Sequence, residues 1–294
     1  MTMTRVGMTH GGEPPPAPPF ADLRYEEAGP VARVIFDRPA KRNALSMRMS
    51  DELVSALELV RRSESVKVLV ISGAGSTFCA GDDISEMRRW GNPDQVMRRV
   101  RFYQYMASSL EELDKITIAA VDGFAVGGGL EITMACDFVV ATRRAVWGMP
   151  EVDVGITPGW GGTTRMARLI GRRLTKEINF LGALQPASRA VDLGLWNRAV
   201  ADDALETSVE DLVRVLLSKN QQVLRQLKFI VNRGVEADLA TAQGFEVMSA
   251  GLTGALSGLG EIPDADHGRG IDAFVAKGEL WRTRRALADA LWKD

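Results

Sequence analysis

Histidine and cysteine are nearly missing from this chain: two of each in 294 residues, at His10, His267, Cys79 and Cys136. So few thiols exclude a disulfide-built scaffold and suit a reducing compartment. Neither histidine stands in metal-ligand spacing with a cysteine, so no metal is expected. A serine nucleophile driven by histidine is equally hard to assemble. An excess of one charge is lacking too. Lysine and arginine number 36 against 38 acids, a net charge of −2, so no overall field gathers nucleic acid or an anionic membrane. No apolar run reaches the ~18 residues of a membrane span; the best candidate, 116–140, contains Asp122, Glu131 and Asp137. Neither G-x-x-x-x-G-K-[ST] nor G-x-G-x-x-G is present, and the first residues hold no apolar leader-like run. The expectation is a soluble, cytoplasmic protein without a resident cofactor, whose chemistry falls to carboxylates and backbone amides.

What is present suffices for a large core: hydrophobic residues make up 46% and charged residues 25%, the balance of a globular chain. Residues 1–19, "MTMTRVGMTHGGEPPPAPP", read as a disordered Gly/Pro-rich arm. Strand-like runs follow at "DLRYEE" and "VARVIFD", hinged at Gly29-Pro30, then a helix-period segment from Ser46 to Arg62 capped by Ser46 or Ser50. "VKVLVISG" (66–73), "ITIAAVDG" (116–123) and "DFVVAT" (137–142) read as strands, the first two continuous apolar runs of the buried kind. Helical periodicity separates them at 94–113 and 128–136. Strand and helix in alternation predict an α/β core. After about 163 the pattern turns helical, at 163–170, 172–183, 203–217, 219–234, 238–256 and 280–292, with a loop at 257–270. The division drawn is therefore an arm at 1–19, an α/β core at 20–202 and a helical region at 203–294.

Two Gly-rich turns carry the chemical interest. "CAGDDISEM" (79–87) and "GFAVGGGLEITMACD" (123–137) each run small residues into a helical pattern. A helix start offers unpaired N–H groups and a partial positive charge, and glycine lets a ligand approach them. Three glycines also serve plain strand-on-helix packing. Glu131 falls in the first turn of an otherwise apolar helix, and a buried carboxylate needs a partner or a function. Glu151, in "WGMPEVDVGITPGWGGTTR", reads equally as an exposed loop acid.

Four motifs in order, "FDRPAKRNAL" (36–45), "FCAGDDISEM" (78–87), "AAVDGFAVGGGLEITMACD" (119–137) and "PEVDVGITPGWGGTTRMARLIG" (150–171), resemble the enoyl-CoA hydratase/isomerase, or crotonase, superfamily. The resemblance continues more loosely through "AFVAKGE" (273–279) and covers nearly everything after residue 20. It implies a spiral of repeated β-β-α units followed by a helical region that builds homotrimers or dimers of trimers. It implies an acyl-CoA substrate, with coenzyme A entering as part of the substrate. By position, the backbone amides of Ala80 and Gly128 become the oxyanion hole for a thioester carbonyl, where fixed donors stabilise developing charge. Glu131 and Glu151 become the acid pair of a hydro-lyase adding water to a 2-enoyl-CoA. Glu151 is read as the proton donor to C2 and Glu131 as the partner of the water.

For coenzyme A the resemblance implies a channel lined by Lys41 to Ala44 and by the Phe78 to Ile84 turn. Lys41 or Arg42 is placed to meet a phosphate, and Lys277 to reach a neighbouring subunit's coenzyme A. Phe78, Gly81, Asp82, Asp83, Ile84, Gly127 and Pro150 complete the candidate set. Asp83 matches the family's usual aspartate, whereas Asp82 stands at a more variable position. Residues 85–110, with Trp90, Phe102, Tyr103, Trp147 and Trp160, are read as shaping the acyl pocket or as ordinary core. A double-bond isomerase, or another acyl-CoA enzyme of the superfamily, needs only part of this apparatus. A non-enzymatic reading, RNA binding or scaffolding through Arg98-Arg99-x-Arg101, has the acidic balance against it.

Overall fold

The computed structural model describes residues 20–256 and 278–291. The expected arm at 1–19, the loop at 257–270 and Lys277 lie outside the described residues. Strands β1 (Leu23–Ala28) and β2 (Val31–Phe36) pair antiparallel across the Gly29-Pro30 hinge. β3 (Val68–Gly73), β4 (Ile116–Val121), β6 (Phe138–Thr142) and β9 (Arg198–Val200) extend the sheet in parallel, in the order β1-β2-β3-β4-β6-β9. The apolar runs of β3 and β4 follow from this placement, because helices cover both faces of a central parallel strand. Leu69 and Ile71 point into one core, while Val68 and Val70 point into the other.

The larger core holds α1 (Met47–Arg62) and α3 (Pro93–Glu111), which bury Met49, Leu53, Leu57, Tyr103, Met106 and Leu110. Of the two serines weighed as caps for α1, Ser46 serves, its hydroxyl accepting from Met49 N at 2.9 Å. The smaller core lies under α7 (Leu205–Leu217), whose Val209, Leu212, Val213 and Leu216 pack on Val68, Val70, Ile118 and Val140. α7 thus belongs to the packing of the sheet, although it begins after residue 203.

A second, three-stranded sheet is formed by β5 (Phe124–Val126), β7 (Val146–Gly148) and β8 (Gln185–Pro186). With α4 (Gly128–Ala135) and α5 (Gly162–Leu181), the chain runs β4-β5-α4 and then β6-β7-α5, two turns of the expected spiral. α5 is interrupted at Gly171 (φ 79°, ψ 162°), where the helical periodicity of the sequence also breaks. Short elements α2 (Ile84–Met87) and α6 (Ala187–Asp192) complete this part. α8 (Gln221–Gly234), α9 (Leu239–Leu256) and α10 (Glu279–Ala290) follow. No helix among the described residues is long and apolar enough to cross a membrane.

Candidate active site

The two Gly-rich turns are joined by main-chain hydrogen bonds. Cys79 N donates to Phe124 O at 2.8 Å and Val126 N to Cys79 O at 3.0 Å. Gly81 (φ 93°) leaves no room for a side chain, since a Cβ there would meet Val126 O at 2.9 Å and Gly128 N at 3.5 Å. Gly127 (φ 54°) turns β5 into α4, its N–H donating to Gly148 O at 2.9 Å. Gly128 N therefore stands at the first position of a wholly buried helix, where the helix itself supplies no acceptor. The Ala80 N–H, the other expected donor, points to Arg42 O at 3.1 Å. Arg42 and Asn43 both adopt left-handed backbone (φ 51° and 54°). Buried Asn43 secures that bend by accepting from Arg38 N and donating to Ala74 O and Thr77 O.

Three carboxyl groups surround this junction. Glu131 is 1% exposed, and its Oε1 accepts Trp160 N at 2.8 Å and Gly162 N at 2.6 Å. Burial pushes its carboxyl up to about 8, opposed by those two amides and assisted by the nearby negative charges of Glu151 and Asp82. Glu151 is the second residue of a 3-10 turn opened by Pro150. Its Oε1 lies 2.9 Å from where a Cβ on Gly127 would sit, and its Oε2 is buried with no hydrogen-bond partner among the described residues. Burial raises its pKa as well. The loop-acid reading of Glu151 gives way to a half-enclosed group aimed at the glycine turn. Asp82 is pushed up to about 7 by burial and then by Glu151, against the attraction of Arg99 and a hydrogen bond with Trp160. Its Oδ1 is also buried without a partner.

Trp160 roofs the junction. A Cβ on Gly128 would meet its Cζ2 at 3.3 Å and Leu45 Cδ1 at 3.5 Å. Behind it stacks Tyr103, with ring centroids 4.3 Å apart. Trp147, by contrast, is core: fully buried, tilted against Trp196 and donating to Pro186 O.

The remaining candidates divide by position. Lys41 and Arg42 are exposed, Arg42 lying 5.7 Å over the Phe124 ring. Ala44 is half-buried, and its carbonyl accepts from the Arg38 guanidinium. Ile84 is 57% exposed. Phe78 is fully buried edge-on to Phe36 and offers no side chain to a channel. Asp83 caps α2 through Ser85 N and pairs with Arg38 at 3.0 Å. Burial works to raise its pKa, but hydrogen bonds from Ser85 and Arg38 outweigh it and hold the carboxyl below the usual range. It is a fixed structural ion. The two amides that grip Glu131 escaped the sequence reading, although their segment, "PGWGG", was among the quoted motifs.

The model of the enoyl-CoA hydratase/isomerase family matches residues 26–282. The short-chain-enoyl-CoA hydratase of Clostridium acetobutylicum is 36% identical over 231 residues, covering 75% of this chain and 85% of that protein. The crotonyl-CoA hydratase of Syntrophomonas wolfei is 33% identical over 267 residues, covering 88% of this chain and 96% of that protein. Among solved structures, an enoyl-CoA hydratase from Bacillus anthracis superposes with a TM-score of 0.79 at 30% identity, over 87% of this chain and 97% of its own. By its double glycine turn, its sheet order and these likenesses, the chain belongs to the enoyl-CoA hydratase/isomerase family and has the crotonase fold.

Proposed function

We propose that this protein is an enoyl-CoA hydratase that adds water across C2=C3 of a 2-enoyl-CoA thioester. The observation that carries the reading is the approach of Glu131 and Glu151, both with raised pKa values, to the helix start at Gly128. In this reading the thioester carbonyl accepts from Gly128 N and Ala80 N, the latter bond exchanging or sharing its present acceptor, Arg42 O. Charge moves onto the thioester oxygen as a water oxygen bonds to C3, so fixed donors favour the enolate over the ground state. The water's proton passes to Glu131, and Glu151 delivers a proton to C2. Two close carboxyls in a dry site resist ionising together. One ionised and one protonated group is the state that such an addition needs. No protein nucleophile forms a bond in this sequence.

Coenzyme A is assigned to the side of Lys41, Arg42 and Ala44, where the exposed charges of Lys41 and Arg42 suit its phosphates. The homotrimer or dimer of trimers is supported by apolar side chains exposed on α8, on α9 and between them, among them Val231, Val235, Leu239, Val247 and Met248; a monomer in light scattering at micromolar concentration refutes it. Asp82 favours a second reading. A third buried carboxyl beside Glu151 suits a double-bond isomerase, which carries one proton between C4 and C2.

Turnover of crotonyl-CoA, followed by loss of the enoyl-thioester absorbance, tests the choice beside a 3-enoyl-CoA. Hydration abolished in Glu131→Gln and Glu151→Gln supports the hydratase. Conversion of the 3-enoyl to the 2-enoyl thioester without hydration selects the isomerase.

A further inference from the structure

Beside Tyr103, a surface groove of about 490 Å³ lies between the start of α1, the turn after α2 and the first half of α3. Its apolar floor is Met47, Trp90 and Phe102; its walls carry Arg89, Arg98 and Arg99. The groove is rich in donors, and the oxygen of its lining amide, Gln95, already accepts from Asn92 N at 3.3 Å. None of the three arginines forms an ion pair with a carboxylate among the described residues, and no acid lines the groove. Glu86, on α2, accepts from Met47 N at 2.7 Å. Trp90 Nε1 is buried and has no acceptor among the described residues, a donor whose desolvation is uncompensated until something brings one.

Arg99 ties the groove to the chemistry. Its guanidinium lies 5.6 Å from the ring centroids of both Phe102 and Tyr103. Tyr103 in turn stacks on Trp160, which roofs Gly128. Arg99, Tyr103 and Trp160 are thus in contact in series, from the groove to the roof over Gly128. Trp90 lies beside the same ring, its centroid 5.9 Å from Tyr103. Asp82 attracts Arg99 without forming a contact ion pair with it.

An aliphatic tail is served by the floor of such a groove but not by its rim. Arginine forks match planar oxyanions, and an indole N–H adds a third donor. We propose that the groove takes a carboxylate at the far end of the acyl chain, so that the preferred substrate is an ω-carboxy-2-enoyl-CoA rather than a simple fatty acyl thioester. The inference rests on the acyl-CoA reading above and deepens it. Phosphate shares the required chemistry, so the test separates the substrate's carboxylate from the phosphates of coenzyme A itself.

The experiment compares 2-hexenedioyl-CoA and 2-octenedioyl-CoA with 2-hexenoyl-CoA and 2-octenoyl-CoA on the purified full chain. Binding of the saturated thioesters and of free coenzyme A is measured by calorimetry in parallel. At least one diacid is expected to exceed its monoacid tenfold or more in kcat/KM, the range of a charge-assisted hydrogen bond. Arg99→Gln brings that ratio close to one, Arg99→Lys restores part of it, and Arg98→Gln lowers it less. Free coenzyme A binds the wild type and Arg99→Gln alike.

Equal turnover of diacids and monoacids overturns the inference while leaving the hydratase reading intact. Loss of free coenzyme A affinity in Arg99→Gln overturns it by making the groove a phosphate site. Saturable RNA binding at physiological salt, abolished by the same substitution, overturns it in favour of the polynucleotide. Failure of every thioester to bind removes the acyl-CoA reading, and the inference falls with it.

Discussion

Replacing Glu131 by glutamine perturbs the electrostatics of the site without dismantling it. The amide oxygen can accept the Trp160 and Gly162 N–H groups that Oε1 now accepts at 2.8 and 2.6 Å. What disappears is a titration. Burial lifts the Glu131 carboxyl from 4.5 to about 8, so the folded protein prefers the protonated acid while the unfolded chain ionises it. The group's contribution to stability is therefore complete below pH 4.5 and is lost as the pH climbs to about 8. At ~1.4 kcal/mol per pH unit, that window holds at most ~5 kcal/mol. Glu131→Gln escapes this loss. Urea unfolding near pH 5 and near pH 8.5 should show the variant gaining several kcal/mol on the wild type as the pH rises, within the same bound of ~5 kcal/mol. A wild-type-to-variant difference that stays constant with pH refutes the electrostatic account. Glu131→Ala behaves otherwise. It orphans two buried N–H groups at ~1–3 kcal/mol each and destabilises at every pH.

Other sites give sharper yes-or-no answers. Gly162→Ala would bring a Cβ to 2.6 Å from Glu131 Oε1 and 2.7 Å from Met149 Cε. It is expected to cut crotonyl-CoA turnover at least a hundredfold while circular dichroism stays native, and an active variant would mean that Glu131 is not held where described. Asn43→Ala removes three hydrogen bonds beneath the Arg42 bend and should cost ~2–5 kcal/mol in urea unfolding; a loss below ~1 kcal/mol would refute the clamp. Asp82→Asn takes away a charge that raises the Glu131 pKa. With Glu131 as the base, the acidic limb of kcat/KM should move to lower pH, and a fixed limb would disprove the coupling.

The long elements of the fold were legible because their residues repeat a period. The apolar runs at 66–73 and 116–123 became β3 and β4, and the helix-period stretch after Ser46 became α1. β5, β7, β8 and β9 went unread as separate strands: at two or three residues each they are too short for alternation to emerge. The apolar character of the helix at 128–136 pointed to a buried Glu131. The amides that hold it lie 29 and 31 residues away, a separation that local pattern does not span. The motif places Asp82 on the coenzyme A channel through its neighbours; its nearness to Glu151 depends on how the 3-10 turn at Pro150 and the helix start meet in space. Resemblance locates a segment but not the direction of each side chain: Phe78, placed on the channel through its segment, is buried with its ring against Phe36.

The bonds between Cys79 and the Phe124–Val126 strand have a consequence for how such a protein changes over time. They are main chain to main chain, so the spacing of the two candidate donors is written in backbone geometry rather than in any side chain. In the proposed reading, substitutions at Asp82, Trp160 or Arg99 alter what surrounds a bound acyl group while the grip on its carbonyl stays the same. On that reading anchorage and reaction vary separately: a lineage can exchange one acid, or one arginine of the groove, and inherit the anchorage intact.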